Sequence, residues 1–320
     1  MPVRRAARVG RVKALAIERR DVAPAVLDVA DPVAGDGEVL VRIEAASVNG
    51  FDLAIAAGRI WAAMPADFPV VLGRDYAGTV AAVGAGVDAF KVGQPVAGIV
   101  TGPRLGPGSI GELYVAPAAK VTPRPGGVTA VDATAIGLAG VTAATAMDVL
   151  GVGPGDTLLV SGATGGVGSF AVQLAAAAGA RVVATAAAGE ASAFVTSLGA
   201  HEVVDFTGDL ATAVRAVAPD GVTAVLHAAG DPVALAALLA PAGRLVSLQG
   251  ATAEQVGRDD ITVTAIQSKY TPERLGRLLD AAASGRLSVA VGATFPLAAA
   301  TDALEWFADL RHLGKAVVTI

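Results

Sequence analysis

No cysteine occurs among the 320 residues, which excludes disulfides, thiolate nucleophiles and cysteine metal ligands. Histidine is nearly as scarce: His201, His227 and His312 are too few and too scattered for a three-ligand catalytic zinc with an open fourth position. No metal site is expected. Charged residues make up only 17% of the chain, and 24 basic against 29 acidic side chains leave a formal charge of −5, so the basic footprint of a nucleic-acid partner is missing. Aromatic residues are few, 4%, against 53% hydrophobic residues overall, the balance of a compact chain long enough for two domains. Gln173, Arg181 and Glu190 interrupt the longest apolar region, and neither a membrane span nor a membrane partner is expected. Arg4, Arg5, Arg8, Arg11 and Lys13 make the N-terminus basic, but no continuous apolar stretch leads to a small-residue cleavage site. A short solvated leader is the expectation there, with an organelle presequence as the alternative, and a cytoplasmic location fits the cysteine-free composition.

Glycine, by contrast, is abundant, and its most informative cluster is Val-Ser-Gly-Ala-Thr-Gly-Gly-Val-Gly-Ser at 160–169. An apolar strand, Asp156-Thr-Leu-Leu-Val-Ser, precedes it, and an alanine-rich helix from Phe170 follows and stops at Gly179. Arg181-Val-Val-Ala-Thr then supplies the next strand. Glycines at such a strand-to-helix junction allow a tight turn and let a pyrophosphate approach the helix N-terminus. Gly162, Ala163, Thr164, Gly165, Gly166, Val167 and Gly168 are therefore candidate contacts of a dinucleotide, against the alternative of a purely structural turn.

The rest of the chain divides by pattern. From 12 to 128, short strands alternate with turn signals such as Gly35-Asp-Gly and Gly84-Ala-Gly, which predicts a mostly β domain. From 129 to 265, helices and apolar strands alternate: a helix near 132–150, the fingerprint unit, helices at 190–198, 209–217 and 232–239, and strands at Glu202, Ala224 and Arg244. That alternation predicts a doubly wound parallel sheet. After 266, helices at 272–284 and 298–310 and strands near 289–294 and at Lys315-Ala-Val-Val-Thr-Ile are expected to return to the first domain. The expected domains are thus 1–128 with 266–320, and 129–265.

Five stretches in this order carry a resemblance: Ala46-Ser-Val-Asn-Gly-Phe-Asp-Leu, Leu72-Gly-Arg-Asp-Tyr-Ala-Gly-Thr-Val, Gly137-Leu-Ala-Gly-Val-Thr-Ala, the glycine fingerprint, and Gly314-Lys-Ala-Val-Val. From Lys13 to Ile320 the chain resembles the medium-chain dehydrogenase/reductase superfamily, in its zinc-independent quinone oxidoreductase-like and enoyl reductase-like branch. The resemblance implies an α/β protein with a GroES-like β domain, an inserted Rossmann domain and an active-site cleft between them. It also implies a small-molecule substrate and a homodimer paired through the nucleotide-domain sheet edge, for which 244–250 is a candidate. Zinc alcohol dehydrogenases of the superfamily place a cysteine and a histidine-glutamate pair where this chain has Asn49 and Arg74-Asp75. Without a Lewis acid to polarise an alcohol oxygen, reduction of an activated C=C bond or a quinone is the expected activity. A zinc-free secondary-alcohol dehydrogenase and an NADPH-binding regulatory or assembly protein are the alternatives.

Individual residues carry two readings each. Thr185 closes the strand after which NAD-binding proteins present an acid to the ribose, and no acid follows until Glu190; this favours NADPH, with NADH also allowed. The lysine and tyrosine that NADP-using relatives supply are here Ala191 and Phe206, so Arg311 and Lys315 are the candidate phosphate partners, or else solvated surface residues. Thr142 contacts the cofactor or is a satisfied helix threonine. Ala229-Gly230 and Leu248-Gln-Gly250 bound the nicotinamide pocket or are ordinary strand-end turns. The resemblance implies that Asn49 faces the nicotinamide, where its amide holds the cofactor or a substrate carbonyl; the alternative is helix capping, as expected of Asp52. Tyr76 returns a proton or is a core tyrosine. Phe51, Trp61, Met64 and Phe68 wall an apolar pocket or form local core.

Overall fold

The computed structural model describes residues 10–309 and 312–320. Arg4, Arg5, Arg8 and Arg311 lie outside these described residues. Two compact units emerge, one of residues 10–137, 293–309 and 316–320, the other of 138–292 and 312–315.

In the first unit, β1 (Arg11–Ile17), β2 (Ala25–Ala30) and β3 (Glu38–Ser47) precede α1 (Gly50–Ala56). β4 (Val70–Val71), β5 (Asp75–Val83), β6 (Pro95–Ile99), β7 (Leu113–Pro117) and β8 (Val121–Pro123) follow. Along β3, Val39, Val41 and Ile43 are buried while Arg42 is exposed, the two-residue period of a sheet with one covered face. This unit's core gathers Leu15, Val41, Tyr76, Val96, Leu304 and Val318. The long helix α2 (Ala130–Leu150) comes next; its backbone leaves helical geometry at Gly137, where a Cβ would sit 2.3 Å from Asp75 Oδ1. By length and composition α2 is apolar enough to cross a membrane, but 67% of its most apolar stretch is buried, as in a core helix.

The second unit runs β9 (Thr157–Ser161), α3 (Gly166–Ala177), β10 (Arg181–Thr185), α4 (Glu190–Ser197), β11 (Glu202–Val204) and α5 (Leu210–Val217). It continues with β12 (Val222–His227), α6 (Pro232–Ala236), β13 (Leu239–Ser247), α7 (Ala253–Val256), β14 (Thr262–Ala265) and α8 (Pro272–Ala283). The six strands order as β11-β10-β9-β12-β13-β14, and every pairing is parallel. Leu158, Leu159 and Val160 are wholly buried, the continuous apolar run of a strand covered on both faces. The chain closes with β15 (Val291–Pro296), α9 (Ala300–Ala308) and β16 (Lys315–Thr319), and β15 and β16 join β3, β5, β6 and β8 in a seven-stranded sheet to which β7 adds through β3.

Three departures from the sequence reading have physical causes. Helix α3 begins at Gly166, four residues before the expected Phe170, because a glycine-rich segment of poor helix propensity still winds once its N-terminus is fixed by the turn. Helix α6 ends at Ala236 and β13 starts at Leu239, with the β12 register shifting between Val222 and Ala224 and Ala242 at φ 60°. And 244–250 is not a sheet edge: β14 pairs along Arg244–Ser247, so the edge strand on that side is Thr262–Ala265.

At the amino ends of the parallel strands, Asp156 accepts from the Gly153 N–H (3.0 Å) and the Thr223 hydroxyl on β12 (2.7 Å), and it pairs with Arg244 on β13. Burial raises its pKa, but these hydrogen bonds and Arg244 outweigh burial and hold the carboxyl below its ordinary value. Its contribution is therefore present above pH 3.8 and lost as pH falls through the lower folded pKa. Asp156→Ala is expected to lower the unfolding free energy by about 1–3 kcal/mol at neutral pH, read from urea midpoints. The difference from the parent should shrink under acid.

Candidate functional site

The glycine turn assigns a distinct task to each of its three spaced glycines. Gly162 has φ +77°, and its N–H donates to Thr185 Oγ1 at 3.1 Å. Gly168 touches the turn itself, since a Cβ there would lie 2.2 Å from the Gly162 carbonyl oxygen and 2.7 Å from Ala163 Cα. Gly165, the N-cap of α3, has φ −75° and room for a side chain, the nearest atom to an added Cβ being 3.5 Å away. Two glycines thus build the turn, while the third leaves room at the start of α3, the kind of helix end whose N–H groups suit an anion. Thr164, Gly165, Gly166 and Val167 are half-buried, whereas Ala163 is fully buried and packs inward.

Thr185, a candidate cofactor contact, turns inward to the glycine turn. It is 4% exposed, and its hydroxyl accepts from Gly162 and donates to the Val160 carbonyl at 3.4 Å, which braces the turn. Of the two readings of Lys315 the solvated one fails: it is 2% exposed, and a Cβ on Gly166 would lie 2.5 Å from its Cδ. The neighbouring Gly314 donates to the Thr164 carbonyl at 2.9 Å, so Gly314 lies against the glycine turn. Thr142 donates its hydroxyl to the Leu138 carbonyl at 2.7 Å, the satisfied-helix arrangement. Phe206 is 55% exposed just after β11, and Ala191 is half-buried in α4.

At the carboxyl ends of β9, β12 and β13 a network missed in the sequence joins the expected loops. His227, 2% exposed, reaches the Gly230 carbonyl from Nε2 (3.1 Å) and Ser247 Oγ from Nδ1 (2.9 Å). A carbonyl only accepts, so Nε2 carries the proton and Nδ1 accepts from the Ser247 hydroxyl. Ser247 Oγ in turn accepts from the N–H groups of Gln249 and Ala251. Ser161 donates to the Ala229 carbonyl at 2.5 Å, and Gln249 Nε2 to Ala228 at 2.6 Å. Ala229, Gly230 and Gly250 are exposed at the rim this network supports, and Leu248 is half-buried beside them. The only sequence signal for it was a histidine closing an apolar strand.

The first unit holds a second buried polar group. Ser47 donates to Asp75 Oδ2 at 2.5 Å, and Asn49 Nδ2 reaches the same oxygen at 2.6 Å and the Ser47 carbonyl at 3.3 Å. Ser109 donates to the Asp75 carbonyl at 2.6 Å. Both amide hydrogens of Asn49 are therefore directed into the fold, which opposes its expected use as a donor to substrate. Asp52 accepts from the Asn49 N–H (2.9 Å) and the Gly73 N–H (2.8 Å), the capping role expected of it. Tyr76 is not at a surface: it is 0% exposed, with Tyr114 at 5.0 Å between ring centroids and Gly98 so close that a Cβ there would meet its hydroxyl at 2.3 Å. A tyrosine so enclosed is core, which corrects its candidacy as a proton donor. Trp61 and Phe68 pair at 5.6 Å, and Phe51, Trp61 and Met64 pack against this unit's core. Among the described residues no three His, Cys, Asp or Glu side chains converge, so the donor set does not fit a zinc ion.

Two measurements follow. Complete burial pushes the Asp52 carboxyl up to about 6, against the two backbone N–H bonds that pull it down. Folded Asp52 then holds its proton more tightly than the unfolded chain does, so its contribution to stability falls as pH rises from 3.8 to about 6 and is flat above. A carbon-13 carboxyl titration should give a midpoint near 6; one near 4 means the hydrogen bonds win. His227→Ala removes the donor to the Gly230 carbonyl and the acceptor of the Ser247 hydroxyl proton and should lower stability by about 2–3 kcal/mol while loosening both loops, read by urea unfolding and by amide exchange at 228–230 and 248–251.

Comparison with known proteins accords with this geometry. Residues 35–126 match the family described as Alcohol dehydrogenase GroES-like domain, and 198–318 match Zinc-binding dehydrogenase. The chain is 32% identical over 302 residues to the chloroplast envelope quinone oxidoreductase homolog of Arabidopsis thaliana, covering 90% of this chain and 91% of that one. It is 35% identical over 220 residues to prostaglandin reductase-3 of Bos taurus, covering 67% and 56%. Among solved structures, an NAD-dependent alcohol dehydrogenase aligns at TM-score 0.87 with 28% identity over 96% of this chain and 99% of that one. A mycobacterial protein complexed with NADPH aligns at 0.83 with 28% identity over 97% and 100%. The GroES-like β unit, the parallel nucleotide-binding sheet and these relatives together place the chain in the medium-chain dehydrogenase/reductase superfamily, as a quinone oxidoreductase-like NAD(P)H-dependent oxidoreductase.

Proposed function

We propose that this oxidoreductase transfers hydride from NADPH to an activated C=C bond or a quinone, without a metal. The observation that carries the reading is the glycine turn at the start of α3 with room at Gly165, and it is supported by the resemblance, in which Asn49 and the Arg74-Asp75 pair stand in the regions of the zinc enzymes' metal ligands. Bound NADPH supplies the hydride. The chain's part is to hold and orient. Gly165 and the α3 N-terminus receive the pyrophosphate, Thr185 keeps Gly162 in its turn, and the His227–Ser247 network holds the small residues Ala229, Gly230 and Gly250 where a flat ring can approach. Protonation of the reduced acceptor falls to water, since Tyr76 is enclosed. No acid stands between Thr185 and Glu190 to repel a ribose phosphate, which favours NADPH over NADH. A cytoplasmic, homodimeric enzyme belongs to the same proposal; the word chloroplast in the Arabidopsis thaliana relative's name is a statement about that protein.

Two experiments test the reading. Oxidation of NADPH and NADH, side by side, is followed against quinones, enones and enoyl thioesters, with secondary alcohols and oxidised cofactor as the reverse arm. Turnover on an enone or quinone with preference for NADPH is expected; turnover on the alcohols alone, or tight binding without turnover, overturns it. Gly165→Ala should leave the thermal midpoint nearly unmoved yet weaken NADPH binding about tenfold or more, because its new methyl group occupies phosphate space rather than core.

A further inference from the structure

Arg74 stands apart from the other half-buried arginines of this chain. Arg124, Arg181, Arg244, Arg258 and Arg274 each pair with a carboxylate, namely Glu44, Glu202, Asp156, Asp260 and Asp148. The Arg74 side chain makes no hydrogen bond or ion pair with any described residue. Its guanidinium lies over the ring of Phe51, 4.3 Å from Cζ to the centroid, and both side chains are half-buried. Burial depresses the pKa of the cation, while the fully buried Asp52 and Asp75, and Tyr114, favour its charge. A planar fork of donors stacked on an aromatic face is pre-organised, and partial desolvation without an acceptor strengthens what it offers an incoming anion.

The polar groups nearby cannot take that role. Asn49 directs both amide hydrogens to Asp75 and Ser47, Tyr76 is enclosed, and Asp52 and Asp75 are acidic. We infer that Arg74 is a catalytic residue whose guanidinium binds the acceptor's carbonyl oxygen and the negative charge that forms on it. The inference rests on the hydride-transfer reading above. Hydride adds to the electrophilic carbon with its electron pair, the π electrons move to the carbonyl oxygen, and the cofactor leaves oxidised. The enolate or quinolate oxygen is held by Arg74 N–H groups until water supplies the proton. In the position where a zinc enzyme of this superfamily keeps a ligand, the chain then carries its electrophile directly.

Arg74→Met keeps the apolar stem on Phe51 and removes the donors; Arg74→Lys keeps the charge with a different geometry; Arg74→Ala opens a space for added guanidinium. With an enone and a quinone as acceptors, kcat of Arg74→Met is expected to fall about a hundredfold while the Kd for NADPH stays within about twofold, and Arg74→Lys should retain part of the loss. The enone should suffer more than the quinone, since its enolate is the more basic oxyanion. Millimolar guanidinium should restore part of the Arg74→Ala rate. Parental kcat in Arg74→Met, or equal losses in Arg74→Met and Arg74→Lys without rescue of Arg74→Ala, overturns the assignment. A parent enzyme that reduces no acceptor instead overturns the hydride-transfer reading on which it stands, so the two failures are distinct.

Discussion

The approach of α3 to the strand before it is limited by one contact: the α carbon of Gly168 against the carbonyl of Gly162. An added Cβ would come within 2.2 Å of that oxygen, far inside any tolerated contact. Because the two backbones meet there, the helix N-terminus points at the turn, the Gly162 N–H finds Thr185 on the adjacent strand, and Gly314 reaches the Thr164 carbonyl. A larger residue would separate helix from strand and dismantle all three. The nucleotide site is in this sense a by-product of a packing contact, with Gly165 the one position left open for a ligand.

The first unit solves a different problem, the burial of two carboxylates. Asp75 is satisfied by Ser47, Asn49 and the space above Gly137; Asp52 by two backbone N–H groups at the start of α1. Each acid is paid in hydrogen bonds, and their residual field favours a positive Arg74. Asn49 is consumed in this arrangement, which moves electrophilic duty from the amide that motif comparison suggested to the guanidinium beside it. The second unit uses a neutral counterpart: a single histidine tautomer, fixed by a carbonyl on one side and a serine hydroxyl on the other, ties two strand-end loops together.

Much of this was legible in the sequence, and what was not shares one character. The glycine turn and the alternation of helix and strand over 129–265 are local patterns, readable because turn chemistry and periodicity act over a few residues. The extent of α3 and the shift of β13 were blurred because glycine and alanine have little say in where an element starts, and a neighbouring strand decides instead. For Lys315 the sequence left a phosphate partner and a solvated surface residue both open, and its place at the start of an inner strand, which buries it, removes the second.

The order of elements and the glycine turn with its spaced glycines were determined by the amino-acid sequence alone, since each follows from residue types within short windows. Which polar atoms remain to act on a substrate was decided only by the tertiary structure. Asn49 meets Asp75 across 26 positions and Ser47 meets the same acid across 28. Hydrogen-bond capacity is exhausted by such distant partners, and a sequence shows what a side chain can donate but not to whom it already has.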